Sequence, residues 1–134
     1  MKTINPASLP VISAVEIVSL RNTFADRAGL EMQSAEDAPF VVVENDQAQR
    51  IAMLWRQLPS DAEEMRCHTP PYGLRFRSAI GIILRVSVCW KCNNIYGDSQ
   101  GEAIHSVFDG SHPKSRLLLE VMRSTMGDPV AFEE

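Results

Sequence analysis

The chain is 134 residues long, 45% apolar and 22% charged, with thirteen basic residues against seventeen acidic ones and a formal net charge of -4. That length fits one domain better than two, and the apolar share can build a core without disulfides or metals. Net acidity argues against a protein that lives on nucleic-acid phosphates. No run approaches eighteen apolar residues, which excludes an ordinary transmembrane helix.

Leu9 to Leu20 is modestly apolar, but Glu16 interrupts it and no small-residue cleavage site follows, so it does not read as a signal peptide. The expected location is the cytoplasm. Within this stretch, Val11 to Leu20 is β-branched and partly alternating, which predicts a strand. Arg21 to Ala38 is polar, a loop or a short helix around Asn22 to Ala28. Pro39 then opens a short strand, Phe40 to Glu44. Asn45 or Asp46 can cap a helix from Gln47 to about Leu58, stopped by Pro59. Its apolar face is Ala48, Ile51, Ala52, Leu54, Trp55 and Leu58.

From Glu63 onward the pattern turns to strands. Met65 to His68 leads into the turn Thr69-Pro70-Pro71-Tyr72-Gly73, and Leu74 to Arg77 alternates. The strongest strand signal is Ile82 to Trp90. Its even positions, Ile82, Leu84, Val86, Val88 and Trp90, are apolar, and its odd positions are mixed. After an Asn93-Asn94 turn come a short strand at Ile95-Tyr96 and another from Glu102 to Phe108. A last helix is capped by Ser111 or Ser115, tolerates Pro113 near its start and ends at Gly127. Its stripe is Leu117, Leu118, Val121, Met122 and Met126. The order predicts an α+β two-layer sandwich: a mainly antiparallel sheet of short strands with two principal helices on one face. It is one compact domain over 1–134, with frayed ends at 1–8 and 128–134.

The chemistry concentrates in Cys67-His68 and Cys89-Trp90-Lys91-Cys92. Cys67, Cys89, Cys92 and one histidine, His68 first and His105 or His112 otherwise, would make a tetrahedral zinc set. Against this, residues three apart on a strand project to opposite faces, so the strand must end at Cys89 and turn. A thioredoxin-like role lacks the helix N-terminus that activates a thiolate. Cys67 can face Cys89 or Cys92 across neighbouring strands. In a cytosolic protein the expectation that asks least is three reduced, buried cysteines, and three are in any case too few and odd in number for a secreted disulfide scaffold. His68 can equally cap the Pro-Pro turn. Arg66, Arg75, Arg77 and Arg85 form the one basic concentration, expected on a wet sheet face with Glu63, Glu64 and Glu102 as partners. No phosphate loop, nucleophile elbow or paired-carboxylate signature accompanies them.

The stretch Cys67-His68-Thr69-Pro70-Pro71-Tyr72-Gly73-Leu74-Arg75-Phe76, with Val88-Cys89-Trp90-Lys91-Cys92-Asn93-Asn94, resembles small uncharacterised bacterial proteins. In those, a Cys-x-x-Pro-x-x-Gly turn precedes a strand ending in Cys-aromatic-x-Cys. The resemblance implies that turn and strand end act as one unit, and it brings no activity with it.

Small size, acidity and the lack of a recognisable catalytic set lead to a noncatalytic protein-binding domain, with an immunity protein masking a basic toxin or enzyme as its concrete form. Acidic residues would steer such a partner, and Glu31, Glu36, Asp37, Asp61, Glu63 and Glu64 are the candidate contacts. The alternative is a small structural-zinc or thiol-dependent protein built on the three cysteines.

Overall fold

The structure, a computed structural model, describes residues 1–20 and 38–128. Its strands, in chain order, are β1 (Lys2–Thr3), β2 (Ala14–Ser19), β3 (Phe40–Glu44), β4 (Tyr72–Ser78), β5 (Gly81–Cys89), β6 (Asn94–Ser99) and β7 (Glu102–Val107). The helices are α1 (Asn45–Arg56), between β3 and β4, and α2 (Pro113–Met126), after β7. One seven-stranded sheet runs in the order β1-β7-β6-β5-β4-β2-β3 and is antiparallel except where β1 joins β7. The expected α+β sandwich is the fold.

Alternation sorts the strand residues between two faces. Val15 and Ile17, Leu74 and Phe76, Val86 and Val88, Ile95 and Ile104 are buried in one apolar core with Ala48, Ile51, Ala52 and Trp55 of α1. Trp55 lies 5.3 Å from Phe76, centroid to centroid. From α2, Leu118, Leu119 and Met122 are buried while Leu117 is exposed, so the stripe is set one residue from expectation on that side. A register shift between Phe76 and Arg77 pairs Arg77 with Ile82. The bulge therefore swaps the faces of the first β5 residues, and Ile83 packs on the core.

Several local expectations change. Residues 1–8 are not a frayed end: Lys2 and Thr3 pair with Ile104 and His105, and Pro6–Ser8 forms a 3-10 turn capped by Asn5. Arg56 holds the following stretch by donating to the carbonyls of Leu9 at 3.0 Å and Pro10 at 2.8 Å. β2 starts at Ala14, later than expected. Asn45 does not cap α1 through its side chain; it takes a left-handed φ of 56° at the helix start, and Glu44 is the residue before it. His112, not a serine, caps α2, its Nδ1 accepting from the Lys114 N–H at 3.1 Å. Gly127, left-handed at φ 74°, ends that helix as expected. Met65 to His68 is not a strand. It belongs to an irregular strap, residues 59–71, that leaves α1 and crosses to the sheet face opposite the helices. The stretch around Asn22 to Ala28 and the end beyond Asp128 lie outside the described residues. No helix among the described residues is long and apolar enough to cross a membrane.

Candidate functional site

The sheet face turned away from the helices carries the polar chemistry. Across its middle row stand Gly73, Ser87, Tyr96 and His105, paired strand to strand, and beside Ser87 and Tyr96 come Cys89 and Asn94. These are the outward positions that alternation leaves once Leu74, Val86, Val88 and Ile95 are committed to the core. The strap lies over this end of the face, held by side-chain bonds and by isolated backbone bonds such as that from the Met65 N–H to the Cys92 carbonyl at 3.0 Å, with no ladder partner.

Asn94 organises the contact. Its Nδ2 donates to the Cys67 carbonyl at 2.7 Å and to Glu64 Oε2 at 3.2 Å, and it lies 3.4 Å from the Met65 carbonyl. All three are acceptors, so the amide can have only one orientation, with Oδ1 facing His68 Nδ1 at 2.7 Å. His68 Nδ1 therefore carries a proton. In the neutral ring, Nε2 accepts from the Ser87 hydroxyl, 2.7 Å away. If the ring gains a second proton, Nε2 donates to Ser87 Oγ and the hydroxyl turns to the Tyr96 carbonyl at 3.2 Å, so no bond is lost. Serine, imidazole and amide stand in the order of a nucleophile, its base and an orienting group. Ser87 is only 2% exposed, however, and a substrate does not reach it beneath the strap.

Glu64 is the second anchor. Its carboxylate accepts from Tyr96 at 2.8 Å and lies 3.0 Å from His105 Nε2 through both oxygens. Burial pushes its pKa up, but the bonds from Tyr96, His105 and Asn94 and the charge of His105 outweigh that and hold it below the usual carboxylate range. Tyr96 is pushed up by burial and by donating to that carboxylate. The Tyr96 ring lies 4.8 Å from that of His68 and 4.9 Å from that of His105.

The predicted metal set does not assemble in this state. Cys67 and Cys92 form a disulfide with Cα atoms 5.6 Å apart, so neither offers a thiolate. Cys89 is free and buried, and its sulfur accepts from the N–H groups of Cys92 at 3.3 Å and Thr69 at 3.4 Å. His68 uses both nitrogens as described. Among the described residues no group of three or more His, Cys, Asp or Glu is placed to hold a metal ion. The C-x-x-C pair divides because β5 ends at Cys89 and the chain turns before Cys92.

The arginines have a different partner from the one expected. Glu16, in β2, is buried on the outer face, with Arg75 Nε at 3.1 Å and Arg77 Nε at 2.6 Å from its two oxygens. Arg85 lies 3.9 Å from Asp98, and Arg66 is exposed on the strap. Glu102 faces Lys2 at 3.9 Å, and Glu64 is taken up by Tyr96 and His105. The Arg75 guanidinium also lies over the Phe40 ring, 4.9 Å from its centroid. Phe40 and Val42 are 49% and 48% exposed on β3, the sheet's edge strand.

Of the acidic contacts expected for a partner, Asp61 and Glu63 are exposed on the strap, Glu64 is committed to the network, and Glu31, Glu36 and Asp37 lie outside the described residues. Sequence reasoning missed Glu16, Ser87, Asn94, Tyr96 and Phe40. The signal for Glu16 was a lone acid inside an apolar strand, opposite a strand carrying two arginines. No protein-family model, curated protein or solved structure matches the chain.

Proposed function

We infer that this chain is a noncatalytic binding domain for another protein, with an immunity protein that masks a basic toxin or enzyme as its most concrete form. One observation carries the reading: the edge strand β3 holds Phe40 and Val42 half exposed on the sheet face that the helices leave open, beside the Glu16–Arg75–Arg77 ion cluster. An edge strand of five residues with three exposed apolar side chains is a surface that proteins ordinarily blunt with charge or cover. A half-exposed aromatic ring backed by an arginine, as Phe40 is by Arg75, has the composition of an interface anchor. Asp61 and Glu63 are exposed on the strap. They supply the acidic rim that would steer a basic partner.

The test begins with the tagged protein recovered from its own host, followed by measurement of its affinity for the protein it retains. Phe40→Asp should weaken binding at least about a hundredfold, as loss of an anchor does. Asp61→Lys with Glu63→Lys should slow association and flatten its salt dependence. If the retained protein is an enzyme, its activity should be suppressed by wild type and not by Phe40→Asp. Equal affinity of the folded variants, or a bare monomer recovered from the host, would sink the reading.

A further inference from the structure

We propose that the Cys67–Cys92 disulfide is a reducible clasp that holds the strap, residues 59–71, over Cys89, Ser87 and Asn94, and that thiol reductants of the glutathione or dithiol class release it. The inference does not depend on the binding reading.

Three observations carry it. First, the disulfide is accessible from one side only: Cys67 is exposed and Cys92 is buried. Second, from Pro59 to Thr69 no residue joins either apolar cluster, and only Pro70 and Pro71, where the strap enters β4, are buried, so the rest of the strap is held by polar bonds and the disulfide. Segments of that kind open at lower free energy than the core around them. Third, the strap covers buried chemistry. Thr69 donates to Cys89 Sγ, His68 meets Ser87 and Asn94, and those three covered residues are at most 2% exposed. Cys89 is a free thiol in the same unit as the disulfide, protected only while the strap is closed.

The chemistry balances as ordinary thiol–disulfide exchange. A reductant thiolate attacks the sulfur of Cys67, the exposed residue of the pair, the Cys67–Cys92 bond breaks, and Cys92 leaves as a thiolate that takes up a proton. A second reductant thiolate attacks the mixed disulfide. Cys67 is freed and protonated, and the reductant departs as its own disulfide. Two electrons and two protons pass to the protein. The polar bonds from Glu64 and His68 remain to be made or lost, and without the covalent tie they no longer keep the strap shut.

Hydrogen exchange and timed alkylation, both resolved by peptide, test this on the intact chain with and without dithiothreitol. In the oxidised protein, lighter by two hydrogens, Cys89 should resist alkylation. On reduction the amides of the strap should exchange at least about tenfold faster while the β4–β5 hairpin is unchanged, and Cys89 should become labelled. The double variant Cys67→Ser, Cys92→Ser should label at Cys89 without reductant. The proposal falls if strap exchange stays within about twofold of the oxidised protein. It also falls if Cys89 stays protected, if the hairpin loosens together with the strap, or if the oxidised mass is never found.

Discussion

Glu16 and Asn94 do more for this molecule than their residue types suggest. A carboxylate in the middle of an apolar strand is expensive unless charge and hydrogen bonds meet it, and here Arg75 and Arg77 approach its two oxygens from the neighbouring strand. Glu16→Ala should leave two arginines facing an apolar hole and lower stability by about 3 kcal/mol, read by chemical denaturation. Glu16→Gln should recover part of that loss. Asn94 holds the strap carbonyl of Cys67 and the ring of His68 at once. Glu64 adds a pH dependence. Its pKa is held below the ordinary 4.5, so its contribution is complete above that value and is lost as the pH falls through the lowered one. The protection of the strap amides relative to their intrinsic exchange rates should therefore fall in wild type as the pH drops below 4.5 through the lowered pKa, and Glu64→Gln should remove that acid step.

At the scale of elements, the joint between β7 and α2 depends on one close approach. A Cβ on Gly110 would stand 1.9 Å from the Trp90 carbonyl oxygen, with further Trp90 backbone atoms directly behind it. The Trp90 indole donates to the Ser115 carbonyl at 2.7 Å, tying the end of β5 to the first turn of α2. Gly110→Ala should cost at least about 3 kcal/mol, because the obstruction is backbone and cannot turn aside. Thermal unfolding followed by tryptophan fluorescence would show whether the joint loosens. The strap is a second element, with one covalent fastening beside its polar bonds. Its disulfide closes a loop across a sequence separation of 25, which chain-entropy arguments value at about 3 kcal/mol, and Cys92→Ser should lower stability by that order. A smaller loss would mean that the strap's polar bonds already confine it.

For the whole molecule, the two faces of one sheet have different duties. The helices bury one face in a continuous core, while the other carries an ion cluster, a clasped strap and an exposed edge strand. A disulfide in a chain of this composition ties function to compartment, because such bonds persist in oxidising surroundings and are rare in the reducing cytosol. The cytoplasmic expectation therefore makes a prediction about the clasp. In a reducing compartment, thiol trapping at lysis should find Cys67 and Cys92 as free thiols and the strap open. In an oxidising one it should find them joined.

Much of the architecture was legible in residue order. The alternation of Leu84, Val86 and Val88, the three- and four-residue spacing of Ala48, Ile51, Ala52 and Trp55, and the stop at Gly127 are local periodicities, and local geometry obeys them. They determine that these segments become strands and helices and which side of each is apolar. The candidate site was only half legible. Cys67, His68, Cys89 and Cys92 stood out by type, but whether they meet as metal ligands, as a disulfide or as separate side chains depends on the path between them. Tertiary structure decided it. The turn after Cys89 sends Cys92 to Cys67, the strap carries Glu64 and His68 onto Tyr96, His105, Asn94 and Ser87, and strand pairing brings Glu16 to Arg75 and Arg77. Each of those contacts joins residues 19 or more positions apart, and no periodicity within a single element encodes a bond to another. What the sequence by itself determined is therefore which surfaces seek water or a core; which polar groups answer one another was decided by the fold.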